Sequence, residues 1–446
     1  MNKRQVTILW VIAIALGAAV TAVKLSQNKS TTSATQRAAG QTLFESFPAN
    51  EAATVEIQGA TGNVTLAKKD TKWVVVQRDN YPANISFVND LIRSLSDLKI
   101  TLGMEAGPSF APRFGMDETA SKPVDRGLTA IFKDAAGKEI AKVSLGKNIE
   151  SGAAPSPMGG SNSVGRYVRN HADESGFYAV SEMFTSVSDE APRWLDSGFI
   201  SPEKIKSITL SQVGKTDPAW KLTRDGEEAE FKLDGATATE VLDTAATGPL
   251  KSLFSYARFE DVVPAAKVAE RAADGKRTAT IETFEGFIYS VTITPTKPGN
   301  PPTATGPDAA PPATDNYLVT VDVTATLPKE RKKEDAEKPE DAKTKDTAFA
   351  DRLKSLTEKL AKEKAFAGIT FEVAKSGVDP LLKERDALIT KAKPPTADAP
   401  APEAGVQSHP GGMVARPRAT ATTPPIEAVT PPISVPPADE APKKAK

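Results

Sequence analysis

Residues 128–145 read LTAIFKDAAGKEIAKVSL: apolar positions alternate from Leu128 to Phe132, turn residues occupy Asp134 to Gly137, and alternation resumes from Ile140 to Leu145. A period of two on both sides of a glycine-containing turn predicts a β-hairpin with one apolar face. Residues 279–294, ATIETFEGFIYSVTIT, repeat the design, with Ala279 to Phe284 and Phe287 to Thr294 flanking Glu285-Gly286. A hairpin written twice points to a duplicated module, and the residues around each copy extend the match.

Upstream of the first hairpin, short alternating strands are expected over Thr54 to Ile57, Asn63 to Ala67 and Trp73 to Gln77, joined at Gly59, Gly62 and Asp70. After Tyr81-Pro82, Val88, Leu91, Leu95 and Leu98 recur at helical spacing, so a helix over Ile85 to Leu98 capped by Asn84 is expected. Downstream, Tyr167 to Arg169 and Phe177 to Val180 read as strands, and a short helix near Met183 leads to Trp194-Leu195. The second copy runs in the same order: Ile205 to Leu210, Trp220 to Thr223, the turn Asp225-Gly226, and Phe231 to Leu233. A helix over Thr237 to Ala246 takes the place of the first helix. Tyr317 to Val323, Ile369 to Val373 and a helix over Pro380 to Ile389 follow the second hairpin.

Two insertions depart from the repeat. Residues 295–315 are rich in Pro, Thr and Ala and read as an exposed loop. Residues 328–347 are dense in both signs of charge and lead into a helix over Phe349 to Phe366, with Phe349, Leu353, Leu356 and Leu360 on one face. That helix either packs on its own module or presents its stripe to a partner; self-packing is the simpler reading, since one apolar stripe is what any surface helix carries.

Val6 to Val23 is an apolar run without a charge, preceded by Lys3 and Arg4 and followed by Lys24. As a helix it would cover roughly 27 Å, close to the hydrocarbon thickness of a bilayer. A single span acting as signal-anchor is expected. The rival reading is a cleaved leader ending at Val20-Thr21-Ala22. With Lys24, Lys29 and Arg37 on the far side, charge barely votes on orientation. Only five residues precede the span, so the bulk of the chain is expected outside the bacterial cytoplasmic membrane, in the periplasm or beyond. The chain has no cysteine, which is compatible with an oxidising compartment and excludes lipidation at one.

The 446 residues are 39% hydrophobic with a net charge of −1, enough apolar material for about two domains and no electrostatic reason to expect nucleic acid. Beyond residue 392, thirteen of the thirty-five prolines crowd into a stretch without aromatic residues, a composition that cannot offset chain entropy by burial. The expected organisation is therefore α+β: a cytoplasmic N-terminus (1–5), a transmembrane helix (6–23), a polar tether (24–50), two tandem strand-rich modules with one or two helices each (51–202 and 203–391), and a disordered Pro-rich tail (392–446).

Catalytic chemistry finds little footing. His171 and His409 are the only histidines, so a His/Cys zinc site is excluded, and no carboxylate calcium loop of EF-hand type is present. A Ser-His-Asp arrangement would need His171 with Asp173 or another acid, yet no G-x-S-x-G elbow accompanies it. Gly214-Lys215-Thr216 resembles the end of a phosphate loop, but Thr209 stands where that motif requires glycine and Asp217-Pro218 follows where a helix should start. It reads as a turn. Trp73, Trp194 and Trp220, with Tyr167 and Tyr178, could line a groove, but aromatic residues beside apolar ones in strands are usually core. Arg166 and Arg169 read as a solvated strand edge. No catalytic, cofactor-binding or metal-binding residue is assigned, and no cofactor is expected.

The order Trp73, Tyr81-Pro82-Ala83 and a leucine-rich helix, then Gly165-Arg166-Tyr167-Val168-Arg169, Phe177-Tyr178-Ala179-Val180 and Trp194-Leu195-Asp196, resembles the bacterial family catalogued as domain of unknown function 4340. The resemblance covers Thr54 to Ile281 and extends more faintly to Thr390. It implies a membrane-anchored protein with a repeated module, a companion of gliding-type ABC transporter auxiliary proteins, with no catalytic residues to carry over. The two insertions and the long tail depart from a minimal member of that family. The function expected is thus a non-enzymatic envelope auxiliary or scaffold protein, accessory to an ABC-type export system through protein contacts; the alternative is an envelope hydrolase or carbohydrate-binding protein with carboxylates in a cleft between the modules.

Overall fold

A computed structural model describes residues 35–151, 163–297, 316–331 and 338–391. The span expected over residues 6–23, most of the insertion at 295–315 and the tail from 392 lie outside the described residues. Among the described residues no helix is long and apolar enough to cross a membrane.

The chain builds a mixed α+β structure from two antiparallel sheets. The first comprises β1 (Thr54–Gln58), β2 (Asn63–Lys69), β3 (Lys72–Val75), β4 (Tyr81–Pro82), helix α1 (Ile85–Ser96), β5 (Ile100–Glu105), the short helix α2 (Pro123–Arg126), β6 (Leu128–Lys133), β7 (Glu139–Glu150), β8 (Ser163–Asn170) and β9 (Gly176–Val180). Its strand order is β4-β3-β2-β1-β6-β7-β8-β9-β5. The second half supplies β10 (Ile205–Gln212), β11 (Trp220–Thr223), β12 (Lys232–Leu233), β13 (Glu240–Leu242), α3 (Thr244–Thr247), β14 (Asp261–Val263), α4 (Ala265–Arg271), β15 (Arg277–Thr283), β16 (Phe287–Pro295), β17 (Asn316–Ala325), α5 (Pro339–Lys364), β18 (Thr370–Ala374), α6 (Lys375–Leu382) and β19 (Ile389–Lys391). Its main sheet runs β12-β11-β10-β15-β16-β17-β18-β14, with β13 and β19 paired separately.

Laid side by side, the orders correspond except for β4, which has no counterpart: β12 to β3, β11 to β2, β10 to β1, β15 to β6, β16 to β7, β17 to β8, β18 to β9, and β14 to β5 at the far edge. The hairpins that opened the sequence reading are β6–β7, with Leu128 opposite Leu145, and β15–β16, with Ala279 opposite Val291. Helix α1 is capped by Asn84, whose side chain accepts from the backbone of Ser86 and Phe87, and it buries Val88, Leu91 and Leu95. Trp73, Trp194 and Trp220 are all core residues.

Several expectations are corrected. Residues 35–50, read as polar tether, are partly core: Leu43 is fully buried, and Gly40 to Leu43 pair with Leu98 to Ile100 at the start of β5. The helix expected over Thr237 to Ala246 is a strand, β13, followed by one turn of helix. Asp243 stops the strand by capping that turn through Ala245 and Ala246, while Leu242 pairs with Ile389. The helix expected over Pro380 to Ile389 lies earlier, at α6, and the chain then turns back as β19. Near Met183 there is no helix; a 3-10 turn at Ala191–Trp194 delivers Trp194 to the core, where its indole N–H donates to the Ser188 carbonyl at 2.8 Å. Helix α5 begins at Pro339, inside the charged insertion, and buries Leu356 in its C-terminal half, with Phe366 buried just past its end.

The two sheets meet at β4 and β14. Arg78 donates twice to Asp261, at 2.6 and 2.8 Å, and the Asp79 carboxylate accepts from the Ala265 backbone at the start of α4. Tyr81 sits edge-on to Phe259 and Phe371, and Phe199 from the connecting segment touches Phe254, Phe259 and Phe371. The buried apolar side chains of both halves form one continuous cluster.

Candidate functional site

Alternation along β6, β7 and β8 sends Phe132, Val143, Leu145 and Val168 inward, which leaves Thr129, Lys142, Ser144, Tyr167, Arg169 and the following His171 on the outer face. A segment over residues 108–118 roofs that face. Phe114 stacks on Phe177 at 4.4 Å and meets Tyr167 edge-on at 5.2 Å. The roof comes down backbone to backbone: a Cβ on Gly146 would lie 2.2 Å from the Phe114 carbonyl oxygen. Between roof and sheet is a cavity of about 440 Å³ lined by polar side chains from both: Asp117 and Glu118 above, Lys142, Ser144, Arg169 and His171 below.

His171 and Ser144 are in contact, Nε2 to Oγ at 2.8 Å, and Ser144 Oγ reaches Thr129 Oγ1 at 3.0 Å. Burial, then the charges of Lys142 and Arg169, push the imidazole down to about 4, against an opposing pull from Glu118. At neutral pH the ring is uncharged. Asp173, the acid nearest in sequence, does not join this pair: its carboxylate is taken by the hydroxyls of Ser175 and Tyr178. Ser144 and His171 thus meet as base and hydroxyl without the acid that the sequence reading put beside them. Sequence reasoning missed Ser144 and Lys142 because cross-strand register, Ser144 opposite Arg169, joins them to His171.

Arg166 is not a solvated edge. Its guanidinium turns inward to the bulge of β7 and donates to the carbonyls of Gly146 (2.7 Å), Met183 (3.2 Å) and Leu145 (3.4 Å). Burial lowers it to about 10. Arg169 does face outward, its guanidinium 5.5 Å from the centre of the Phe177 ring.

A second concavity, about 490 Å³, lies beside the segment from Pro249 to Glu260 and α6. Phe254 buries its ring while its backbone adopts φ 63°, a left-handed conformation costly for a bulky residue, and Tyr256 two residues later is 95% exposed. A third, of about 160 Å³, lies at the junction of the sheets. Its carboxylate Asp79 caps α4, and the neighbouring Asp261 is held by Arg78. Gly214 adopts φ 83° in the tight turn after β10, where Lys215 N–H returns to the Gln212 carbonyl, so Gly214-Lys215-Thr216 is a turn. Among the described residues no group of three His, Asp or Glu could hold a metal ion, and His409 lies outside them.

The profile of the family described as Domain of unknown function (DUF4340) matches residues 73–276, from β3 to the threshold of β15. No curated protein and no solved structure matches the chain.

Proposed function

We propose that the chain is a non-enzymatic scaffold that works by holding another envelope protein against its two-sheet body. The observation that carries this reading is the Tyr256 loop. A phenol that is 95% exposed, two residues after the left-handed backbone of Phe254 and lining the same groove as Arg258, resembles the aromatic and arginine anchors that dominate protein interfaces. Strain of this kind persists when the surrounding structure enforces it and use rewards it.

Anchoring in the cytoplasmic membrane through residues 6–23, an ectodomain outside it, and an accessory role to an ABC-type exporter belong to the same proposal. The first rests on the charge-free apolar run; the last is what the resemblance to that family implies, and the description of the matched family names no function. The alternative, a carboxylate-based hydrolase or sugar-binding cleft between the modules, draws no support from the junction, where Asp79 and Asp261 are already engaged.

The test is affinity purification of the full-length protein from gently solubilised membranes, alongside Tyr256→Ala and Arg258→Ala variants. A transporter permease or ATPase recovered in near-stoichiometric amount with the parent protein and lost with either variant is the expected result. A transporter that co-purifies equally with all three removes the loop from the interface, and none with the parent overturns the accessory role.

A further inference from the structure

We propose that the roofed cavity of the first sheet binds a small oxyanion, the carboxylate or phosphate group of an acidic small molecule, with Arg169 as its principal contact. The volume, about 440 Å³, falls in the range of small-ligand pockets, roughly 300–1,000 Å³. The donors converge from two strands and the segment after them: the Lys142 ammonium and Ser144 hydroxyl from β7, the Arg169 guanidinium from β8, and the His171 ring.

Two features distinguish this set from an ordinary solvated face. The Arg169 guanidinium rests on the Phe177 ring and makes no hydrogen bond or ion pair with any described residue, so its planar fork stays open for a two-point contact with an oxyanion. Lys142 is only loosely held, 3.6 Å from a Glu118 carboxylate whose side chain is 65% exposed and can swing into solvent. The remaining acid of the lining, Asp117, is committed to its own turn, accepting from the Thr119 backbone at 2.9 Å and hydroxyl at 2.6 Å. The charges that act on His171 are Lys142 from β7 and Arg169 from β8, opposed by Glu118 from the roof; Asp117 keeps its charge in its own turn, so the lining as a whole carries two cations and two carboxylates. Burial is the first cause of the depressed imidazole and these two cations the second; an anion bound at Arg169 would offset the second.

The chain's two histidines make the test direct. Full-length protein carrying ¹³C-labelled histidine is titrated by NMR in inorganic phosphate, in acetate, and in sodium chloride of matched ionic strength. His171→Gln identifies the resonances. The expected result is a saturable upward shift of the His171 midpoint by a pH unit or more, a tenfold change in proton affinity, in phosphate or acetate beyond that in chloride, with His409 unmoved. The anion that produces it names the ligand class. Arg169→Gln should abolish the saturable component, Lys142→Gln should weaken it, and Glu118→Gln should strengthen it, with circular dichroism unchanged. No shift beyond the chloride control, or the same saturable shift in a folded Arg169→Gln protein, overturns the proposal.

Discussion

Arg78, just past β3 in the first half, and Asp261, opening β14 in the second, form a two-point ion pair across the junction of the sheets, at 2.6 and 2.8 Å, with side chains only 20% and 17% exposed. The pair sits at the mouth of an aromatic cluster formed by Tyr81, Phe259, Phe371 and Phe199. Charge fixes the register of the two edges and ring packing supplies the adhesion.

The junction is thereby expected to show coupling. Partial shielding and bidentate geometry place the interaction energy of the pair at about 1–2 kcal/mol, above that of an exposed pair. Arg78→Ala and Asp261→Ala are each expected to destabilise the protein, and the double variant to lose less than their sum by that amount in urea unfolding. Strict additivity would remove the pair from any role in joining the sheets.

Glu363 is the charged pin of α5. It is 4% exposed and accepts from the Tyr289 hydroxyl at 2.7 Å and the Ser201 backbone at 3.0 Å, with Lys359 3.2 Å away. Burial, then the charge of Glu363, pushes the Tyr289 phenol upward, so it stays a donor at any physiological pH. Glu363→Ala is expected to cost about 1–3 kcal/mol by leaving the Tyr289 hydroxyl and the Ser201 N–H without their acceptor, Lys359 keeping Glu203 and the Ser201 carbonyl, and Tyr289→Phe about 1 kcal/mol. Hydrogen exchange in the C-terminal half of α5 should accelerate in both. Equal and small effects, within experimental error of zero, would mean that apolar packing at Leu356 and Phe366 alone holds the helix.

The duplicated hairpins were legible because Leu128 to Leu145 and Ala279 to Thr294 alternate cleanly about a glycine turn, and half-buried strands impose that period. Strands β5 and β14 escaped notice for opposite reasons. β5 contains Gly103 and a register shift at its start, which blurs alternation, and β14 is three residues long. Strand β13 exists only through β19, far along the chain, so its local Thr-rich sequence could not announce it. The roofed cavity was half legible. His171 drew attention as one of two histidines, but its neighbours Ser144 and Lys142 reach it through strand register, and its sequence neighbour Asp173 turns to Tyr178.

Gly146 controls the roof. An added Cβ would meet the Phe114 carbonyl oxygen at 2.2 Å and the Met116 side chain at 2.8 Å. Gly146→Ala is expected to lift residues 108–118 and cost about 1–3 kcal/mol, as overpacking does. Gly226→Ala, at a glycine with nothing within 4 Å, should stay within about 0.5 kcal/mol of the parent. Amide exchange localises the effect: faster over the roof, unchanged over β2 and β3. Protection of the roof that survives Gly146→Ala would show that the stacking of Phe114 on Phe177 suffices to hold it.

His171 gives the cavity a pH signature whose sign follows from its direction of shift. Its ordinary value is 6.5 and in the folded chain it is held at about 4, chiefly by burial and then by Lys142 and Arg169. Between those values the unfolded chain binds the proton and the folded chain does not, so stability contributed here is complete above pH 6.5 and is lost as pH falls toward 4. The full shift would correspond to roughly 3 kcal/mol, which the cavity's opening to solvent trims to about 1–2 kcal/mol. His171→Gln cannot take up the proton in either state. Urea midpoints measured at pH 7 and pH 4.5 should therefore fall less in the variant than in the parent, by an amount equivalent to that energy. A parallel fall in both proteins would mean that the imidazole titrates normally, and that the cationic field of Lys142 and Arg169 does not reach it.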